Sequence, residues 1–232
     1  MRTLSSADLV DLWDRGSSLH PVDRSLVLLH AVLPETYEHL ADWPLGRRNQ
    51  ALAELRGACF GSRLEAWTAC PRCGEKLEFQ MDTRSLVAPL APAHDAINIK
   101  GESFRPPNSR DLAIAARERN PRTAAIRLME ACRSEVGEPL AWSEQDIDEA
   151  GEQMALADPM AEIRLTLDCP ACSNQWDETL DIGEFFWTEV ASRARLVLRD
   201  VHILASAYGW NEREILSLTE ARRAIYLEMS QA

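Results

Sequence analysis

The sequence predicts an α+β chain, mostly helical, with a split β unit built from two matching cysteine turns. Three observations carry this prediction. Apolar residues recur at helical spacing over most of the 232 residues. Apolar and polar residues alternate only around 64–81, in a short stretch near Ile97 and around 163–180. Two of those stretches enclose Cys70-Pro-Arg-Cys73 and Cys169-Pro-Ala-Cys172.

The first 60 residues read as helices. Ser5 with Asp8 has the form of a capping box ahead of Leu9, Val10, Leu12 and Trp13. Pro21 suits the first turn of a second helix that carries Leu26, Leu29, Val32 and Leu33. Tyr37 to Pro44 reads as a connector, followed by a helix from about Gly46 to near Gly61. A hairpin over Leu64–Met81 comes next, then a Pro-Ala connector (87–93) and another strand marked by Ile97, Ile99 and Phe104. Asn108 and Asn120 are expected N-caps, the second with Pro121 at the first helical position. Ser143 with Asp146 starts a helix ending near Asp158-Pro159. After the strand of Ile163, Leu165 and Leu167, Asp181 and Glu184 are expected to cap a long helix. Its stripe is Phe186, Val190, Ala194, Val197, Val201, Leu204 and Tyr208. Gly209 breaks this helix and Asn211 caps a short one before the last. The expected segments are 1–61 (N-terminal helices), 62–106 (first knuckle hairpin and following strand), 107–159 (acidic helical insertion), 160–182 (second knuckle hairpin) and 183–232 (C-terminal helices), all in one cooperative unit.

Composition narrows the function. Apolar residues are 46% and charged residues 27%, which supports a buried core. The net charge of −12 argues against nucleic acid as a partner. No apolar run is long enough to span a bilayer, so no membrane partner is expected, and the first residues lack the layout of a signal peptide. A cytoplasmic protein is the expectation. Nine acidic residues and no basic ones lie between Arg133 and Arg164. A solvated helix face is the favoured reading, with a docking surface for a basic partner as the alternative.

Six cysteines in a reducing compartment point to metal or thiol chemistry rather than disulfides. Cys59 and Cys132 stand alone among apolar neighbours and read as small buried hydrophobes. Cys70, Cys73, Cys169 and Cys172 form two knuckles, turns whose backbone N–H groups point at two sulfurs that face one ion. Four thiolates are the closed tetrahedral set that structural zinc takes. The 95 residues between the pairs (74–168) then read as an insertion between the halves of a zinc ribbon. The match runs beyond the cysteines: Leu64 and Ala66 precede the first pair as Ile163 and Leu165 precede the second, and Met81-Asp82 follows as Leu180-Asp181 does. The other readings are a redox CxxC pair, catalytic zinc, a rubredoxin-type iron site, a relic site without zinc, and a disulfide. Neither motif opens a helix after a strand, as a thioredoxin-like pair does, and catalytic zinc keeps a position open for water.

Other chemistry is sparse. His20, His30, His39, His94 and His202 are scattered, and no HExxH, P-loop, GxGxxG or GxSxG pattern occurs. His30 and His202 read as core or packing residues, and Trp43 and Trp210 as packing anchors at helix boundaries. No catalytic constellation emerges.

The C-terminal stretch has a distinctive form: Tyr208-Gly209-Trp210, then Glu214-Ile215-Leu216-Ser217-Leu218, Arg222-Arg223 and Tyr226-Leu227. This ending resembles that of small baseplate proteins of contractile tails, found in T-even-like phages and in extracellular contractile injection systems. The segment Trp43-Pro44-Leu45-Gly46-Arg47-Arg48, the block FGSRLEAWTACPRCGEKLEF and the block DPMAEIRLTLDCPACSNQWDETLDIGEFFW are similar to that family too. The resemblance implies a non-enzymatic role in building or completing a baseplate, with other baseplate or hub proteins as partners and incorporation into a tail-like particle. It implies no fixed cysteine set, so the zinc argument rests on the four cysteines themselves. Two other readings of the same cysteines are a thiol redox or metal-transfer protein and a zinc-ribbon regulator that binds nucleic acid.

Overall fold

The computed structural model describes residues 2–34, 37–86, 96–135 and 140–230. The whole of the Pro-Ala connector (87–93), with His94 and Asp95, lies outside the described residues. In chain order the elements are α1 (Ser6–Gly16), α2 (Pro21–His30), α3 (Tyr37–Leu40), α4 (Leu45–Phe60), β1 (Arg63–Ala69), β2 (Lys76–Asp82), α5 (Thr83–Leu86), β3 (Ile97–Ile99), β4 (Glu102–Phe104), α6 (Ser109–Ala115), α7 (Pro121–Cys132), α8 (Glu144–Ala157), β5 (Ile163–Asp168), β6 (Gln175–Leu180), α9 (Ile182–Tyr208), α10 (Glu212–Ser217) and α11 (Glu220–Ser230). The chain is a mixed α/β protein with small antiparallel sheets. No described helix is long and apolar enough to cross a membrane.

The chain divides into two compact units, 35–182 and a second formed by 1–34 with 183–232. This grouping joins part of the first and the whole of the last of the five successive segments expected from the sequence. Helical periodicity shows that a helix has an apolar face, not which distant segment covers it.

In the unit formed by the two chain ends, local sequence chemistry sets the helix boundaries. The Ser5 hydroxyl accepts from the Asp8 N–H, and the Asp8 carboxylate accepts from the Ser5 N–H at 2.8 Å. Arg2 pairs with Asp8 at 2.7 Å and donates to the Ala31 carbonyl at the end of α2. His20 caps α2 by accepting from Val22 N–H. The long helix α9 buries Phe186, Val190, Ala194, Val197, Val201 and Leu204, while Tyr208 lies at its exposed end. Gly16 has no Cβ because the Trp187 ring lies where one would stand. Trp210 packs between Tyr208 and Tyr226 with ring centroids 4.8 Å from each. His202, expected in the core, is exposed on α9, because it falls between the buried Val201 and the next turn of the stripe.

Two predictions arise in this unit. The Arg2 guanidinium holds the Asp8 carboxyl down at about 2, against a smaller opposing effect of burial. A carboxyl lowered in the folded state contributes stability above its unfolded value, and that contribution is lost as pH falls toward the folded value. Asp8→Ala is therefore expected to destabilise by about 1 kcal/mol at neutral pH. Its deficit relative to the wild type should vanish in melts recorded between pH 4 and about pH 2, roughly the interval between the two pKa values. Arg223 is the second case. It is a buried guanidinium on α11 that donates to Asp200 on α9 at 3.3 Å and to the Ser6 hydroxyl at 3.0 Å. Arg223→Ala is expected to cost about 3 kcal/mol in denaturant unfolding, because it leaves the Asp200 charge without this partner.

In the unit 35–182, helix α4 is the scaffold. Its buried face carries Arg48, Asn49 and Arg56 among leucines and alanines. The Arg56 guanidinium donates to the carbonyls of Gly61 (2.7 Å) and Arg63 (2.8 Å), which fixes where β1 begins. Asn49 donates to the Met160 carbonyl at 2.8 Å, and the Gly46 N–H donates to the Asp158 carboxylate at 2.8 Å. These two bonds hold the segment that leads into β5. Thr83 N–H closes the first hairpin onto the Ser62 carbonyl. One helix thus places both cysteine hairpins.

The 62–106 segment holds a hairpin, β3–β4, where the sequence suggests a single strand. Lys100 and Gly101, both at positive φ, make its turn. Ile97, Ile99 and Phe104 pack with Met129, Cys132, Trp142, Ala150 and Met154, giving the insertion its own core. Asn108, Asn120 and Ser143 all cap their helices. Of the nine acidic residues between Arg133 and Arg164, Glu135, Glu144, Asp148, Glu149, Glu152 and Glu162 are exposed and Asp146 pairs with Lys100. Asp158 is buried, and Glu138 lies outside the described residues.

Candidate metal centre

Each knuckle interrupts a hairpin. In the first, β1 pairs with β2 from Arg63↔Asp82 to Ala69↔Lys76, and in the second β5 pairs with β6 from Ile163↔Leu180 to Asp168↔Gln175. The hairpins are separate two-stranded sheets, with no ladder joining them. Leu64 and Ile163, at equivalent positions, are both buried.

The turns repeat bond for bond. Cys70 N–H donates to the Glu75 carbonyl at 2.8 Å and Gly74 N–H to the Cys70 carbonyl at 2.9 Å. Cys169 N–H donates to the Asn174 carbonyl and Ser173 N–H to the Cys169 carbonyl, each at 2.9 Å. Proline follows the first cysteine in both, where its fixed φ suits a turn. The residue after the second cysteine is left-handed in both, Gly74 at φ 75° and Ser173 at φ 54°. Glycine adopts that conformation freely and serine does so only under constraint. The sequence shows Gly74 as a turn residue but gives no sign that Ser173 must match it.

The four sulfurs converge. Cys70 Sγ lies 3.7 Å from Cys172 Sγ, and Cys73 Sγ lies 3.6 Å from Cys169 Sγ. All four ligand atoms are within 4.8 Å of one another. A tetrahedron of sulfurs at the zinc–sulfur bond length of about 2.3 Å has edges of about 3.8 Å, so the cluster has the dimensions of a four-thiolate site. No disulfide joins them. Burial tends to raise the Cys70 thiol, but backbone N–H groups of Cys73 and Arg72 outweigh it and bring it down to about 7. The Glu75 N–H works to lower Cys73, yet the crowding thiols of Cys172, Cys169 and Cys70 push it up to about 12. Four sulfurs this close cannot all shed their protons unless a cation sits among them, which is what a metal supplies. The site is lopsided: Cys70 and Cys169 are buried, Cys172 is half-buried and Cys73 is exposed.

A bond that the sequence does not announce ties the hairpins near the site. The Thr68 hydroxyl on β1 donates to the Glu178 carboxylate on β6 at 3.1 Å.

The remaining cysteines stay apart. Cys132 is fully buried, 3.8 Å from an Asp111 oxygen, and burial together with that carboxylate pushes its thiol up to about 12. Cys59, expected to be buried, is half-buried near the end of α4. Among the described residues no other group of His, Cys, Asp and Glu gathers as a metal site.

No family model, no curated protein and no solved structure matches the chain. Four sulfurs leave no coordination position for water, which suits a structural ion and not a catalytic one. Both knuckles lie between strands instead of at a helix N-terminus, the setting that activates a thioredoxin-like thiol.

Proposed function

We propose that Cys70, Cys73, Cys169 and Cys172 hold one structural zinc ion, making a split zinc-ribbon-like unit, and that the chain is a non-enzymatic structural or assembly protein of a contractile-tail baseplate. The observation that carries the metal reading is the convergence of four sulfurs from two knuckles at tetrahedral spacing. Zinc would bring four negative sulfurs into one closed shell, and its binding free energy would become folding free energy of the unit 35–182. The α4 contacts that start β1 and lead into β5 set the two knuckles at matching places, so the ion staples segments 95 residues apart in sequence.

The baseplate reading is supported by the resemblance of the Tyr208–Leu227 signature and of the two knuckle blocks to that family. An interaction role also suits the exposed acidic face of α8, beside which Leu156 is 73% exposed, and the exposed Trp67 on β1. Other baseplate or hub proteins are the proposed partners, and neither nucleic acid nor membrane is.

Tagged chain, expressed in cells that assemble contractile-tail particles from the same gene cluster, tests this. The reading expects copurification with particles or their baseplate precursors, and stalled assembly when the gene is deleted. Normal particle number and morphology without the chain would contradict it. Salt-dependent binding to DNA or RNA would favour the regulator reading instead. A metal-free, readily cycling thiol pair would favour the redox one.

A further inference from the structure

We infer that peroxide converts the metal-bound staple into a disulfide staple by joining the two knuckles to each other, Cys73 to Cys169 and Cys172 to Cys70. The inference rests on the metal-centre reading above and concerns how that centre responds to oxidation. In each knuckle the first cysteine is buried and the second is more accessible, Cys73 being exposed and Cys172 half-buried. The 3.6 and 3.7 Å contacts cross the site, so each accessible sulfur has as its neighbour the buried sulfur of the opposite knuckle. An accessible sulfur next to a buried one is the arrangement of an attacking and a resolving thiol.

The chemistry balances with hydrogen peroxide as the oxidant. The Cys73 sulfur attacks one peroxide oxygen, an S–O bond forms, the O–O bond breaks, and hydroxide leaves and is protonated to water. The sulfur has lost two electrons and the peroxide has gained them. The Cys169 sulfur then attacks the Cys73 sulfur, an S–S bond forms, and the S–O bond breaks to release a second water after protonation. A second peroxide does the same at Cys172 and Cys70. Four thiolates, two peroxides and four protons give two disulfides and four waters, and the ion passes to solvent. Because both disulfides run between knuckles, the loop 74–168 stays closed after the metal is gone.

Full-length protein answers this in one series. Metal content is measured first, peroxide is added with a chromogenic chelator present, and disulfides are then mapped by non-reducing peptide mass spectrometry. The expected result is complete loss of the bound metal, with Cys73–Cys169 and Cys70–Cys172 as the predominant linkages. Fragments cleaved within 74–168 should stay joined on a non-reducing gel. Predominant Cys70–Cys73 and Cys169–Cys172 linkages in protein that began with metal would overturn the inference and leave the metal centre standing. Absence of metal before peroxide would overturn both. In Cys73→Ser the only expected linkage is Cys70–Cys172, and a Cys169–Cys172 bond there would count against the inference.

Discussion

Cys169→Ser is expected to lose the bound metal and to lower stability by several kcal/mol, enough to unfold the unit 35–182 at ordinary temperatures. Structural zinc sites bind with an apparent free energy on the order of 10 kcal/mol, and in a fold built around the ion that energy is folding energy. Serine offers a hydroxyl that does not ionise near neutral pH, so the variant keeps three thiolates around an ion that needs four. Position sharpens the expectation. Cys169 and Cys70 are buried at 2% exposure each, so water cannot easily replace the missing ligand there. Cys70→Ser should therefore match Cys169→Ser, while the exposed Cys73→Ser should cost less. Strong chelator added to wild-type protein should lower its melting temperature toward that of the variant and leave the variant unmoved. A melt of Cys169→Ser equal to the wild type, with equal metal content, would remove the four-cysteine site.

Gly46→Ala is expected to cost about 3 kcal/mol although it adds one methyl group to a helix, where alanine is normally favoured. A Cβ at Gly46 would stand 1.7 Å from Asp158 Oδ1 and 2.6 Å from its Cγ. The carboxylate cannot step aside freely, because Asp158 is 4% exposed and its oxygen accepts the Gly46 N–H at 2.8 Å. Moving it strands a buried carboxylate and leaves the N–H without that acceptor, each worth roughly 1–3 kcal/mol. The α4 N-cap residue is Pro44, which offers no side-chain cap, so Asp158 acts at that helix end from 112 residues away. Burial raises the Asp158 carboxyl above its ordinary value, with the Gly46 N–H partly opposing the rise. The folded state therefore binds this proton more tightly than the unfolded one, and stability falls as pH rises through the raised value. Asp158→Asn keeps an acceptor without the charge and should be tolerated at neutral pH. Asp158→Ala should cost less than Gly46→Ala, and the double variant should recover part of the Gly46→Ala loss. Chemical denaturation of the four proteins reads out the coupling.

The same two sites mark what the sequence makes legible. Local signals carry well: the capping pairs Ser5/Asp8 and Ser143/Asp146, Pro21 at the start of α2, and the alternation of β1, β2, β5 and β6 all form as the residue types dictate. The four-cysteine cluster is legible because the two CPxC motifs repeat with matching flanks and together offer the four thiolates that a closed tetrahedral site takes. What stays hidden depends on polar groups used inside. Arg48, Asn49 and Arg56 are buried on α4, where a hydropathy pattern assigns them to solvent, because each satisfies a backbone carbonyl or polar side chain that the strands and connections leave open. The Asp158–Gly46 bond and the Thr68–Glu178 bond each join residues more than a hundred positions apart, and neither partner has a type that names the other. The grouping of residues 1–34 with 183–232 is hidden for a related reason. The stripe on α9 specifies an apolar partner surface and says nothing of its address in the chain.

Whether four sulfurs hold one ion is read out by metal analysis in native mass spectrometry, with thiol titration on the same sample. One zinc per chain is expected, with Cys70, Cys73, Cys169 and Cys172 unreactive toward alkylation until a chelator removes the metal. A metal-free chain in which exposed Cys73 and half-buried Cys172 alkylate at once, with no effect of chelator, would contradict it.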